Sequence, residues 1–159
     1  MIASLVLAGA MLKVPESLTS LSLIDKWWIA KKAPKWEDYK GKVVIVHFYP
    51  SFCCGWDESM KHVRTALDKW PGKVAAVSVV YGTLATENAK KEFEESIHGI
   101  KVDWPVGLDH DEKFSGKFYP GETPRYTYAI LDRKGNRLPD VVASMDQLPK
   151  YVEKALARG

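Results

Sequence analysis

Two cysteines stand side by side in the stretch "VHFYPSFCCGWDESM", residues 46 to 60, and the chain has no others. They fall where an apolar run gives way to helical spacing. A thiol attacks as its thiolate, and the start of a helix favours that anion through unpaired N–H groups and the macrodipole. Cys53, at the expected helix start, is therefore suited to attack on a disulfide or a peroxide. Its competing reading is a small buried hydrophobe. Neighbouring Cα atoms lie ~3.8 Å apart across a trans peptide, below the ~4.4 Å minimum usual for a disulfide. A Cys53–Cys54 bridge would be strained and readily reduced. Adjacent helical residues share no face, so a redox role for Cys54 and a half-buried packing role stand level.

His47 precedes Cys53 by six residues, within a stretch expected to be buried. Beneath a thiol it could accept or supply a proton; a core histidine satisfied by one hydrogen bond is the competing reading. Trp56 reads as a core residue at the head of a helical stripe, and if partly exposed it would wall a groove beside Cys53. Cys53, Cys54, His47 and His62 match no zinc spacing, so no metal is expected, and no cofactor.

These residues need elements to hold them. "KVVIVHFY" (42–49) is a near-continuous β-branched and aromatic run, the pattern of a strand buried on both faces. From Cys53, apolar residues at Trp56, Met60, Val63 and Leu67 predict a helix over 53–70, stopped by Pro71-Gly72. "KVAAVSVVYG" (73–82) predicts a second buried strand, and "TENAKKEFEESIHG" (86–99) a helix closed by Gly99. An irregular stretch follows, with a short strand near Val106. "YTYAILD", "RKGN" and "RLPDVVAS" (126–144) predict an antiparallel hairpin around a glycine turn. "MDQLPKYVEKALARG" supplies a closing helix, with Pro149 tolerated in its first turn. A parallel βαβ unit feeding an antiparallel pair predicts an α/β fold: a mixed central sheet with helices on both faces.

The 159 residues suit one domain with a real core. Apolar residues at 46% and charged ones at 27% describe an ordinary globular chain. A net charge of +3 without a basic run or interleaved aromatics gives no support for nucleic-acid binding. Residues 1–41 read as an N-terminal extension and 42–159 as the domain. The first twelve residues, "MIASLVLAGAML", are apolar with an Ala-Gly-Ala end, but lack a basic n-region and are too short to span a bilayer. The remnant of a signal or anchor and a segment packed on the domain stand level here.

"DYKGKVVIVHFYPSFC" (38–53) and "GETPRYTYAILDRKGN" (121–136), with "PVGLDHD" (105–111) between them, resemble the thioredoxin superfamily. The likeness is to the redoxin branch that includes TlpA- and ResA-type thiol-disulfide oxidoreductases and, more distantly, the peroxiredoxins. It runs from about residue 36 to the C-terminus. The resemblance implies a thioredoxin-like fold, with Cys53 on the nucleophilic cysteine and Pro124 on a cis-proline whose preceding Thr123 backbone pairs with an extended substrate. It also places Phe52, Trp56, Thr123 and Arg125 around the substrate. Met60 falls on a position often Met or Pro, and His47 where many thioredoxins hold a buried acid. Trp56 stands where the second, resolving cysteine is expected. That departure puts the dithiol cycle in question.

Two readings from different classes follow. One is a thiol-disulfide oxidoreductase working through Cys53, with an external thiol resolving the mixed disulfide; a single-cysteine thiol peroxidase is its neighbour, weakened because the peroxiredoxin Pro-Thr/Ser-Cys arrangement is absent. The other is a redox-inactive binding module that keeps the fold's groove. Trp and Cys codons differ by one base, as do those of Trp and selenocysteine, so a cysteine or selenocysteine originally at position 56 is a third option. The expected partners are protein or small-molecule disulfides and thiols. A monomer is expected, in an extracytoplasmic compartment rather than the cytoplasm, with export or anchoring through the N-terminus.

Overall fold

The computed structural model describes residues 21–51, 55–82, 87–118, 127–139 and 145–158. Five strands form one sheet: β1 (Lys26–Ile29), β2 (Val43–Pro50), β3 (Val74–Tyr81), β4 (Val106–Asp109) and β5 (Thr127–Leu131). Among the described residues four α-helices accompany them: α1 (Trp56–Lys69), α2 (Glu87–Ser96), α3 (Ser115–Phe118) and α4 (Leu148–Leu156). The sheet order is β1-β4-β3-β2-β5. β2, β3 and β4 run parallel, β5 lies antiparallel to β2, and β1 antiparallel to β4. The expected mixed sheet, with the 42–49 and 73–82 strands adjacent and parallel and the 126–132 strand antiparallel, is what the chain forms.

Every residue of β2 is buried, so its alternating side chains feed two cores. Val43, Ile45 and Tyr49 face a layer made by α1, α2 and α4, where Met60, Val63, Phe93, Leu148 and Val152 pack. Val44, Val46 and Phe48 face the other layer, built from Leu21, Ile24, Tyr39 and Phe114. Helices thus cover both faces unequally, three long ones on one side and short α3 on the other. The β2-α1-β3 and β3-α2-β4 crossovers step the same way across the sheet, so a common right-handed sense puts α1 and α2 on one face. The buried Asp109 carboxylate fixes α3 by accepting hydrogen bonds from the Ser115 amide (2.7 Å), the Ser115 hydroxyl (2.7 Å) and the Phe114 amide (3.2 Å).

Three details depart from the sequence reading. The first helix begins at Trp56, because its N-cap Gly55 adopts a left-handed conformation (φ 96°) that is not helical. The second helix ends at Ser96, with a turn over 97–99. Among the described residues, the return arm of the hairpin is a single bridge, Leu131 to Arg137. Its turn is secured by Asp132, whose side chain accepts the Lys134 and Asn136 amides at 2.9 and 2.8 Å.

β1 was not expected, and it lies in the segment read as an extension. Its residues pair with β4, Asp25 accepts the His110 amide at 2.8 Å, and Leu21 and Ile24 enter the smaller core. The division at 41/42 is therefore not a boundary of the sheet. Gly107 permits this edge: a Cβ there would lie 2.5 Å from Ile24 Cγ2 and 2.9 Å from the Trp27 ring. Gly107→Ala should destabilise the fold by about 1–3 kcal/mol, the usual cost of overpacking, as read by urea unfolding. A loss under about 0.5 kcal/mol, typical of surface changes, would mean that β1 is not packed as described.

Candidate functional site

The connection from β2 to α1, residues 51–55, carries both cysteines. It lies at the carboxyl ends of the parallel strands, where open α/β sheets place their sites. Phe52, Cys53, Cys54, Thr123, Pro124 and Arg125 lie outside the described residues, as does the isomer of the Thr123–Pro124 bond. The walls of the connection are described, and they were partly foreseen.

Trp56 opens α1 and is 7% exposed. Its indole stacks on Tyr49 (centroids 4.0 Å apart, planes 27°) and meets Phe93 edge-on at 4.7 Å. The core reading of Trp56 is what the structure gives; the partial exposure needed for a groove wall is not met. Met60 and Val63 continue the stripe, fully buried, and Leu67 packs on its margin. Tyr49 is two residues beyond His47 on the same strand face, so the stack roofs the chain just above the histidine.

His47 is fully buried between β3 and β5, opposite Ser78 and Tyr128. Its ring stacks on Tyr128 at 5.0 Å and 21°. Nδ1 lies 3.2 Å from the Ser78 hydroxyl, while Nε2, also buried, has no hydrogen-bond partner among the described residues. The same hydroxyl accepts the Trp104 Nε1–H at 2.9 Å and reaches Met60 Sδ at 3.7 Å. The Tyr128 hydroxyl donates to the Ser59 carbonyl, within the first turn of α1, at 3.4 Å. Burial drives the His47 pKa down to about 3, so the ring is neutral at physiological pH, and burial holds the Tyr128 phenol far above its ordinary range.

Ser78, Trp104, Tyr128 and Tyr49 did not stand out in the sequence as site residues. A signal existed for Ser78: it is a small polar side chain in the middle of the apolar run "KVAAVSVVYG", as His47 is in "KVVIVHFY", and two polar groups buried in neighbouring strands need each other. Trp104 joins across 26 residues and left no such mark.

The α1 entrance is acidic in its own right. Asp57 and Glu58 occupy the first turn, as the helix dipole favours, and Lys61 lies 3.3 and 3.6 Å from their carboxylates. Gly55 brings no side-chain cap to the first amides. Among the described residues, no group of three His, Cys, Asp or Glu side chains could hold a metal ion.

No protein-family profile matches the chain. Among curated proteins it is similar to the thiol-disulfide oxidoreductase ResA of Bacillus thuringiensis (strain Al Hakam), 24% identical over 144 residues covering 82% of this chain and 80% of the relative. Among solved structures it is similar to MTB dsbF in its mixed oxidized and reduced forms (TM-score 0.61, 23% identity, 84% of this chain and 97% of that one). It is also similar to a thiol-disulfide isomerase from Corynebacterium glutamicum (TM-score 0.64, 16% identity, 84% and 92% covered). The fold is thioredoxin-like, and the chain is similar in sequence to the ResA thiol-disulfide oxidoreductases.

Two measurements check this geometry. Trp56→Ala should cost about 3–5 kcal/mol in chemical unfolding, as for large aromatic truncations in cores. The second concerns His47. The unfolded chain takes up a proton at His47 near pH 6.5, whereas the folded chain resists down to about 3. Between those values the unfolded state binds more protons. Stability should therefore fall as pH drops through that window, by at most about 1.4 kcal/mol per pH unit. His47→Gln should flatten that slope in a pH series of unfolding curves, and an unchanged slope would place the histidine in water.

Proposed function

We propose that the protein is a thiol-disulfide oxidoreductase acting through Cys53, with an external thiol completing the cycle. The observation that carries this reading is the position of the cysteine pair in the 51–55 connection, between the carboxyl end of the central strand and the start of α1. The kinship with thiol-disulfide oxidoreductases supports it.

The chemistry runs in two exchanges. The Cys53 thiolate attacks one sulfur of a protein or small-molecule disulfide, a new S–S bond forms as the old one breaks, and the leaving sulfur departs as a thiolate. A second thiol then attacks the mixed disulfide and frees Cys53. In the thioredoxin pattern that thiol comes from the position three residues on, here Trp56. An indole locked between Tyr49 and Phe93 has no sulfur to give and no room to leave. The resolving thiol is therefore external. The first-turn amides of α1 favour the Cys53 thiolate, Asp57 and Glu58 oppose it, and Lys61 offsets the acids. Pro124, Thr123, Arg125 and Phe52 complete the substrate groove in this proposal, with His47 as the group that exchanges the proton. An extracytoplasmic place of work, reached through the apolar residues 1–12, belongs to the same proposal, and so does a monomeric state.

A redox-inactive binding module is the second reading, favoured by the same fact that Trp56 is built into the core at the resolving position. One experiment separates the two. After mixing with an aromatic disulfide, intact-mass analysis should find the adduct on Cys53. Cys53→Ser should abolish it, Cys54→Ser should leave most of it, and added small thiol should restore turnover. An adduct on Cys54 alone would reassign the nucleophile. No adduct on either, under conditions that label an exposed peptide cysteine, would leave the binding module.

A further inference from the structure

We propose that the amino end of the parallel strands docks the protein onto an anionic lipid bilayer, leaving the cysteine connection turned outward. The docking itself does not rest on the thiol chemistry proposed above.

The surface is assembled from stretches that lie far apart in the chain. Lys42 and Lys73 immediately precede β2 and β3, and the Lys73 carbonyl accepts the Val43 amide at 3.0 Å. The Arg133 carbonyl accepts the Gly41 amide at 3.2 Å, which brings Arg133 and Lys134 beside Lys40 and Lys42. The Trp70 carbonyl accepts the Lys73 and Val74 amides, each at 3.2 Å, so the end of α1 joins the same surface. Lys40, Lys73 and Lys134 are exposed, and Lys42 and Arg133 partly so. Among the described residues no ion pair engages these cations. The acids nearby are occupied: Asp132 is buried in its own turn, Asp68 holds Arg64, and Glu153 holds Lys69. Like charges gathered this way repel one another and gain from an anion set against them.

Two half-buried tryptophans border the cations. Trp36 lies against the 133–136 turn, where a Cβ on Gly135 would come 3.1 Å from its Nε1. Trp70 carries the Lys69 ammonium 4.5 Å from its ring centroid. Tryptophan beside lysine suits a membrane interface, where indoles lie among headgroups and ammonium groups meet lipid phosphates. Nucleic acid fits less well. Trp36 rests on Tyr39 and Trp70 on the larger core, so neither indole stands free as a platform for base stacking. A bilayer also suits the apolar "MIASLVLAGAML", which is too short to span. A weak apolar contact holds when a basic surface adds a second attraction.

Charge sets the orientation. The eight residues of β2, at ~3.3 Å each, put this surface about 26 Å from the cysteine connection. The far end carries Asp57, Glu58, Asp109, Asp111 and Glu112 against Lys61 and Lys113. With a net charge of only +3, it is the separation of charge that turns one end to the lipid and the other away.

The test is co-sedimentation of the full chain with vesicles of phosphatidylcholine, alone or with phosphatidylglycerol added. At low salt, wild type should prefer the anionic vesicles by about a hundredfold, each cation near the surface being worth about fivefold. About 0.5 M salt should abolish that preference. The apolar segment would act on both vesicles alike, so the ratio isolates the basic surface. Lys40→Ala/Lys73→Ala/Lys134→Ala should cut it at least about tenfold. Lys91→Ala/Lys117→Ala/Lys150→Ala removes the same charge elsewhere and should change it less than about twofold. Lipids brominated on their acyl chains should quench the tryptophan fluorescence, and less so in Trp70→Phe. Melting curves check folding; if the first triple variant does not fold, the salt and bromine results on wild type decide. Equal affinity for the two vesicles, equal losses in the two triple variants, or no quenching overturns the proposal. So does lysine-dependent binding of duplex DNA without binding of vesicles. Cys53→Ser should bind vesicles as wild type does, so a failure of the thiol chemistry is read separately from a failure to dock.

Discussion

The structure depends on the burial of β2 on both faces. A strand with water on neither side must find partners for every polar group it carries and cover for every side chain. The flanking strands β3 and β5 satisfy its backbone. Three helices cover one face, and the 21–39 segment with α3 covers the other. His47 brings an imidazole with two polar nitrogens into that strand at zero exposure. Leaving both its nitrogens unpaired would cost several kcal/mol. The register that sets Ser78 opposite it gives Nδ1 a partner and lowers that cost, while Nε2 has none among the described residues.

Much of the fold was legible because the chain's periodicities are clean. Near-continuous apolar runs marked β2 and β3, and a spacing of three and four marked α1. The misses have local causes. Gly55 shortened α1 at its start because a left-handed glycine is silent in a count of apolar residues. β1 was missed because "KWWI" is only four residues long, and its stability comes from Gly107, a residue 80 positions away in the chain whose missing side chain makes the room. Sequence patterns record what a residue presents to its neighbours, not what it leaves empty.

The site was legible in outline only. His47 and Trp56 were marked by their distance from Cys53, and both fall against the β2–α1 corner. The polar partners of His47 come from two other elements, and only one of them left a trace, the serine in an apolar strand. Trp104 follows an irregular stretch and reaches Ser78 by a long-range contact that no spacing encodes. Buried networks are assembled from residues whose sequence separations are unrelated, so their members become visible together only once the sheet register is known.

Trp56 shows how packing can fix the identity of a residue. A single base change would turn its codon into one for cysteine. Such a change would remove an indole that stacks on Tyr49 and Phe93 and leave a void at the head of α1. Large-to-small changes of that kind cost about 3–5 kcal/mol, against a total stability of about 5–15 kcal/mol for a domain. A cysteine at position 56 would therefore need compensating changes around Tyr49 and Phe93 before it could be tolerated. The packing acts as a ratchet: once the aromatic is seated and its neighbours are fitted to it, a smaller side chain is no longer a neutral replacement.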